Sequence, residues 1–288
     1  MTAPYAHGNR RLAAALALGA AFILPIADAM GKALVAQYPI LMVAWARMGL
    51  IVAFLALVNG ARIGLPRMVR PAAMKLQLMR GASSILGTVF VFLGLRAMPL
   101  AECIAIISIA PVVANLISRF WLNERGDAFS WIAALASFGG VLVIVRPGMG
   151  IFSYEAIYPM VGVVGLSGFL ALTRAVSGRD DPRVTAFFGP LVAFGVFSFV
   201  MPFYWVTPRS LIDIGLFLGI GALAATAQVL TATAYRHGTT HHIAPFSYAS
   251  LIAAIGVGWV VFGAVPDEWS LLGMAIIAGV GLATVLRR

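Results

Sequence analysis

Polar side chains recur at helical spacing within two apolar stretches of this sequence. One stretch contains Ser84 and Thr88, and the other contains Gln228 and Thr231. Spacings of three or four residues place side chains on one face of a helix. Hydroxyl and amide groups on such a face can bind a neutral or zwitterionic solute, so these four residues are candidates for a substrate site. Hydrogen bonding between helices is the alternative role.

Similar chemistry occurs in a second pair of apolar stretches. Ser108 lies in one of them, and Ser247 and Tyr248 follow Pro245 in the other. A proline leaves a backbone carbonyl without its helical partner and can bend a membrane helix. A deep tyrosine supplies both an aromatic ring and a hydroxyl. We therefore expect Ser108, Ser247 and Tyr248 to line the same cavity as the first four residues.

Three ionisable residues lie close together near the start of the chain. Asp28 and Lys32 are four residues apart, which is the spacing of a local ion pair in a helix. Arg47 lies in the next apolar stretch and needs an acidic partner, for which Asp28 is the best candidate. We expect these residues to form a structural ion pair or an outer gate rather than to contact substrate.

The composition indicates that these residues lie in a lipid bilayer rather than in water. The chain is 61% hydrophobic and 10% charged, with a mean hydropathy of +0.98, whereas soluble domains are about 25% charged. Its net charge of +10 is dispersed among apolar stretches, which argues against a nucleic-acid partner. One cysteine and four scattered histidines provide neither an intramolecular disulfide nor a metal-ligand pattern. The sequence thus predicts an all-α membrane protein without a cofactor, a metal site or catalytic residues.

Apolar stretches long enough to cross a bilayer divide the chain into ten predicted transmembrane spans. They are 12–34, 39–60, 73–95, 99–122, 128–146, 156–176, 184–206, 211–235, 239–263 and 268–286. Most arginines and lysines fall on one side when both termini are placed in the cytoplasm, as the positive-inside rule requires. We therefore expect a multi-pass protein of the bacterial inner membrane.

An internal repeat relates the two halves of the chain. A shift of 140 residues aligns Gly81 with Gly221 and Thr88 with Gln228, without a gap. Because each half holds an odd number of spans, the second half is inverted relative to the first, an arrangement typical of transporters that alternate between two openings. The predicted halves are residues 1–148 and 149–288.

Residues 106–148 closely resemble the EamA-type repeat of the drug/metabolite transporter superfamily. The resemblance rests on Pro111, on Glu124 just after the fourth span, and on Gly139 and Gly140 in the fifth span. The bacterial amino-acid exporters, including exporters of aromatic amino acids, are the most similar branch. The resemblance implies two inverted five-helix repeats around a central cavity, and a carrier that moves small metabolites out of the cytoplasm.

The favoured function is therefore export of amino acids by alternating access. No carboxylate is predicted at the membrane midplane, which favours a uniporter or an exchanger. Its expected partners are a small-molecule substrate and the lipid bilayer, and the carrier is expected to be a monomer. Export of other metabolites or drugs coupled to protons is the alternative. A more distant alternative is an intramembrane serine hydrolase, because Gly165, Ser167 and Gly168 form a GxSG pattern. The histidines that would have to act as its base lie in a predicted loop.

Overall fold

The computed structural model describes residues 10–121, 128–145, 154–176, 179–237 and 249–286, and these residues are predominantly α-helical. The helices are α1 (Arg10–Val35), α2 (Ile40–Ile63), α3 (Leu65–Met68), α4 (Met74–Ala97), α5 (Leu100–Ile107), α6 (Ala110–Trp121), α7 (Ala128–Val145), α8 (Ile157–Val176), α9 (Pro182–Tyr204), α10 (Leu211–His237), α11 (Ala249–Phe262) and α12 (Glu268–Leu286). A 3₁₀ turn, Tyr154–Ala156, precedes α8.

Six helical segments within the described residues are long and apolar enough to cross a membrane. They are Arg11–Val35, Ile40–Gly60, Met74–Ala97, Tyr154–Val176, Pro182–Tyr204 and Leu211–Thr231. Four apolar helical segments are shorter: Leu100–Ala114, Leu135–Ile144, Ala249–Phe262 and Glu268–Val280. Large apolar side chains such as Leu57, Phe199 and Leu211 are at least 80% exposed on the outside of the bundle. This is the surface that a lipid solvent requires.

The predicted span 99–122 is interrupted in the structure. α5 ends at Ile107 and α6 begins at Ala110, so the helix breaks at Ser108. Pro111 has no backbone N–H, so it leaves a carbonyl in the preceding turn without its helical partner. The Ser108 N–H is shared between Ile104 O at 3.0 Å and Ala105 O at 3.2 Å, as in a tightened last turn.

Five helix pairs dominate the packing. α1 lies against α10, and α4 lies against α8. The other pairs are α7 with α12, α2 with α9, and α2 with α10. Smaller contacts join α6 to α8, α1 to α11, α4 to α9, and α5 to α11. Most of these partners come from opposite halves of the sequence, so the halves interlock rather than form separate bodies.

Small residues permit the closest of these approaches. In the α4–α8 pair, a Cβ atom placed on Gly165 would lie 2.7 Å from Gly87 Cα and still closer to Gly87 N. In the α7–α12 pair, a Cβ on Gly273 would lie 2.6 Å from Gly140 O. Backbone-to-backbone contact of this kind supplies the dispersion energy that holds membrane helices together, since lipid removes the hydrophobic drive between them.

Candidate functional site

The acidic and basic residues of the first two helices form an ion pair inside the bundle. Arg47 Nη1 on α2 donates to Asp28 Oδ1 on α1 at 2.9 Å, which is the pairing that the sequence predicts. The guanidinium also lies over the ring of Phe92 on α4, 5.6 Å from its centroid. The Asp28 side chain is 8% exposed and the Arg47 side chain is 15% exposed. Three helices therefore converge on this pair.

Lys32 does not pair with Asp28, so the prediction of a local ion pair between them is wrong. Its ammonium group donates to Leu95 O at 2.5 Å and to Met98 O at 2.6 Å. These carbonyls lie at the end of α4, where backbone oxygens lack helical partners and a cation is favoured by the helix dipole. Because Arg47 already binds the Asp28 carboxylate, Lys32 joins α1 to α4 instead.

The predicted polar residues of α4 lie on the same side of the helix as Phe92. Ser84 and Thr88 are both half-buried, and the spacing of four residues places Ser84, Thr88 and Phe92 on one face of the helix. The Phe92 ring packs closely against α1, since a Cβ atom placed on Gly31 would lie 2.6 Å from Phe92 Cε1. Thr88 and Ser84 therefore lie one and two helical turns before Phe92, whose ring the Arg47 guanidinium faces.

The predicted residues of α10 differ in their surroundings. Gln228 is half-buried, and its Nε2 donates to Ala186 O of α9 at 3.3 Å. Thr231, one turn later, is exposed. The amide of Gln228 therefore joins two helices, while its remaining donor and acceptor positions are available to a ligand.

The remaining predicted cavity residues lie near the broken helix or outside the described residues. Ser108 donates its hydroxyl proton to Ile104 O at 2.7 Å, so in this conformation it can only accept a hydrogen bond from a solute. Ser247 and Tyr248 lie outside the residues that the structure describes.

A second polar cluster surrounds Arg80 on α4. Its Nε donates to Thr173 Oγ1 at 2.8 Å, and its Nη1 donates to Thr185 O at 2.6 Å and to Gln77 Oε1 at 3.3 Å. The guanidinium stacks on Phe169, 4.3 Å from the ring centroid. Arg80 is 3% exposed. The sequence marks Arg80 and Gln77 as polar residues of one helix, but it gives no signal for their partners on α8 and α9.

This cluster extends to the connection between α8 and α9. Gln77 Nε2 donates to Thr185 Oγ1 and to Asp180 Oδ2, both at 3.0 Å. Asp180 Oδ1 in turn accepts from the backbone N–H of Ala72 at 2.6 Å. The network fixes the start of α4 to the start of α9 and is a structural element rather than an open site.

An aromatic pocket of about 330 Å³ lies between α2, α9 and α10. Trp45 stacks on Phe194 and contacts Trp205 edge-on, with ring centroids 5.6 Å and 6.1 Å apart, respectively. The indole N–H of Trp45 donates to Ser198 Oγ at 2.9 Å. None of the polar residues predicted for substrate binding lines this pocket. Its lining is mainly apolar and aromatic, so it offers few hydrogen-bonding groups.

The geometry at Ser167 argues against the serine hydrolase. Ser167 is fully buried, and its hydroxyl donates to Ala110 O at 3.0 Å. A nucleophilic serine needs a base to accept its proton, whereas here a backbone carbonyl of α6 accepts it. The GxSG pattern therefore marks a helix-packing position, with Gly165 and Ser167 contacting neighbouring helices.

Membrane-length apolar helices, close glycine contacts and polar side chains facing inward define a polytopic helical membrane protein. The model of the EamA-like transporter family matches residues 11–146, which is just under half of the chain. The resemblance found within residues 106–148 is confirmed by this match. The family consists of transporters, not enzymes.

Characterised relatives are also transporters. A riboflavin transporter of Vibrio cholerae is 28% identical over 62% of this chain and 60% of its own length, so the match spans three fifths of that relative. The pseudopaline exporter CntI of Pseudomonas aeruginosa is 28% identical over 91% of this chain and 92% of its own length. An S-adenosylmethionine uptake transporter of Rickettsia bellii is 22% identical over 69% of this chain and 68% of its own.

One solved crystal structure has the same fold over nearly the whole chain. It superposes with a TM-score of 0.63, covering 96% of this chain and 98% of that one, at 17% sequence identity. At this identity the likeness defines the architecture and leaves the solute open.

Proposed function

We propose that this protein is a carrier that exports small metabolites, most favourably amino acids, by alternating access. In this proposal ten spans form two inverted five-helix repeats, residues 1–148 and 149–288, around a central cavity. The protein lies in the bacterial inner membrane with both termini in the cytoplasm, and it operates as a monomeric uniporter or exchanger.

The main support for the proposal is that the helix contacts are preserved when each helix is replaced by its counterpart in the other half. In the repeat, α1 corresponds to α8 and α4 corresponds to α10. Exchanging these helices turns the α1–α10 contact into the α8–α4 contact, and both contacts are present. The same exchange turns α2–α10 into α9–α4, which are also both present. Packing that is preserved under this exchange is what an inverted repeat requires.

Repeat-related glycines support the same relationship at the level of single residues. A Cβ on Gly81 of α4 would lie 2.5 Å from Val192 on α9, and a Cβ on Gly221 of α10 would lie 2.6 Å from Leu50 Cδ1 on α2. Gly81 and Gly221 are the pair that the shift of 140 residues aligns. Each glycine permits a close contact with the corresponding helix of the opposite half.

The hydrogen bonds agree with the sidedness assigned from charge. Tyr38 Oη donates to Asp213 Oδ2 at 2.8 Å, and both residues are expected near the outer surface. Gln77 contacts Asp180, and both are expected near the cytoplasm. A miscounted span would place the partners of such pairs on opposite sides of the membrane.

The proposed cavity is bordered by Ser84 and Thr88 on α4 and by Gln228 and Thr231 on α10. Neutral hydroxyl and amide groups suit a zwitterion or a neutral solute, and a multiply phosphorylated substrate would need several converging cations. Ser108, Ser247 and Tyr248 complete the proposed set.

Transport into proteoliposomes tests the proposal. Purified protein is reconstituted, and uptake of a panel of radiolabelled amino acids is measured with riboflavin and S-adenosylmethionine included, because relatives are named for these solutes. We expect saturable uptake and counterflow of at least one amino acid, and weaker uptake in Thr88→Val. Gly195→Ala serves as the matched control, because a Cβ there meets nothing within 4 Å.

The alternatives give different results in the same vesicles. If riboflavin or another metabolite is transported and no amino acid is, amino acids are the wrong substrate class. Uptake that stops when a pH gradient is collapsed would establish the proton-coupled alternative. Flux that neither saturates nor shows counterflow would indicate a channel and overturn the carrier.

A further inference from the structure

Arg47 and Arg80 lie more than one turn inside the membrane-length helices α2 and α4, and their surroundings differ. Arg80 is 3% exposed and donates to three protein oxygens on Thr173, Thr185 and Gln77. Its guanidinium also stacks on Phe169. Protein oxygens therefore bind both Nε and Nη1 of Arg80, as is typical of a structural arginine at membrane depth.

Arg47 is bound far less completely. Among the described residues it makes one hydrogen bond, from Nη1 to Asp28 Oδ1, and its guanidinium faces Phe92. Its Nε and Nη2 donors have no acceptor in the part of the chain that the structure describes. The Arg47 side chain is 15% exposed. Open donors on an accessible side chain are available to a solute.

Asp28 is incomplete in the same way. Its Oδ1 accepts from Arg47, while its Oδ2 has no donor among the described residues. Its side chain remains 8% exposed. The pair therefore presents one anionic oxygen and one set of cationic N–H donors side by side, next to the aromatic ring of Phe92.

We propose that the Asp28–Arg47 pair is the head-group site for a zwitterionic α-amino acid. The substrate carboxylate accepts from the free guanidinium donors of Arg47, and the substrate ammonium donates to Asp28 Oδ2. Arginine suits this role because its planar fork matches the two oxygens of a carboxylate. The inference rests on the proposed function and adds the residues that select the substrate class.

Charge balance gives this site its selectivity. The ion pair is neutral, so a zwitterion leaves the site neutral. An amine without a carboxylate, or a carboxylate without an amine, would leave one net charge in a low-dielectric environment, which is strongly unfavourable. The site should therefore reject both singly charged analogues and accept the zwitterion. Beyond Phe92, the face carrying Thr88 and Ser84 would contact the rest of the solute.

Ligand-dependent thermal unfolding of the purified protein tests the inference. The screen covers the proteinogenic amino acids, and its reference set is L-phenylalanine with phenethylamine, which lacks the carboxylate, and 3-phenylpropanoate, which lacks the ammonium. A ligand that binds only the native state stabilises it by RT ln(1 + [L]/Kd), so at equal concentrations a tighter ligand raises the unfolding temperature more. We expect at least one amino acid to stabilise the protein, and its two singly charged analogues to bind at least about tenfold more weakly.

Two variants of the pair keep the result interpretable. Arg47→Lys retains the charge but loses the fork, and we expect about tenfold weaker binding of the amino acid. The double variant Asp28→Asn with Arg47→Gln removes both charges together, so neither is left buried alone. We expect it to fold and to lose the preference for the zwitterion. Arg80→Lys is the matched control, since it changes the other arginine and should retain that preference even if it unfolds at a lower temperature.

The outcomes separate this inference from the proposed function. If the double variant binds or transports amino acids with unchanged affinity, the head-group site is overturned while the carrier stands. If no amino acid stabilises the native protein, the head-group site is likewise overturned. If amino acids bind through Asp28 and Arg47 but are not transported, the head-group site stands and the proposed export fails.

Discussion

The contact between α4 and α8 makes the effect of a single methyl group predictable. In Gly165→Ala the new Cβ would lie 2.7 Å from Gly87 Cα and 3.0 Å from the carbonyl carbon of Leu86, whereas ordinary contacts begin at 3.4 Å. Both partners are backbone atoms, so no side chain can rotate away and the helices must separate by roughly 1 Å. Overpacking of this kind costs about 1–3 kcal/mol, and the better helix propensity of alanine recovers up to about 1 kcal/mol.

The expected net loss of stability for Gly165→Ala is therefore about 1–2 kcal/mol, or roughly 2–8 °C in unfolding temperature. Cys103 makes the measurement direct. It is the single cysteine and is fully buried, so a thiol-reactive fluorescent dye reports its exposure on unfolding. The assay needs only purified protein in detergent and no introduced label.

Two alanine substitutions calibrate this result. Gly168 lies one turn further along α8, and its Cβ would approach Ser83 Oγ at 3.1 Å, a side-chain atom that can rotate. On α9, Gly195 has nothing within 4 Å of its Cβ position. We expect Gly168→Ala to unfold close to the wild-type temperature and Gly195→Ala at or above it. If Gly165→Ala were as stable as Gly195→Ala, the close helix contact would not constrain this position and the reasoning would be refuted.

Three further substitutions test contacts between helices. Lys32→Met removes the link from α1 to the end of α4, so a thiol-reactive maleimide should label Cys103 several-fold faster in the purified protein. An unchanged rate would mean that Lys32 does not keep Cys103 enclosed. Arg80→Met removes the guanidinium hydrogen bonds to Thr173 Oγ1 and Thr185 O and should lower stability by about 2–3 kcal/mol, whereas a wild-type unfolding temperature would contradict its structural role. Tyr38→Phe removes the hydroxyl that donates to Asp213 and should cost about 1 kcal/mol in thermal unfolding, and a more stable variant would count against this hydrogen bond.

Some side-chain partners could be predicted from the sequence because suitable partners are scarce. Asp28 is a rare acid within the apolar stretches, so it was the natural partner for Arg47, and the structure has this pair. The partners of Lys32 and Arg80 could not be predicted in this way. They include the backbone carbonyls of Leu95, Met98 and Thr185, and every residue carries a carbonyl, so no residue type marks the acceptor.

The predicted helix through Ser108 shows a similar limit. Apolar composition over residues 99–122 predicts one continuous span, and it gives no reason to end a helix at Ile107. Pro111 is visible in the sequence, but whether a proline bends a helix or breaks it depends on how neighbouring helices satisfy the freed backbone groups. Here Ser108 lies at the break and bonds to the preceding turn.

The sequence by itself determined that the chain lies in a membrane, approximately where most of its helices begin and end, and which few residues carry charge among them. These properties follow from composition and hydropathy, which local stretches of sequence contain. Only the tertiary structure decided which helices touch, where Gly165 meets Gly87, and that Arg80 is enclosed while Arg47 is left open. Those facts depend on side chains and backbone groups brought together from distant parts of the chain, and local composition carries no record of such contacts.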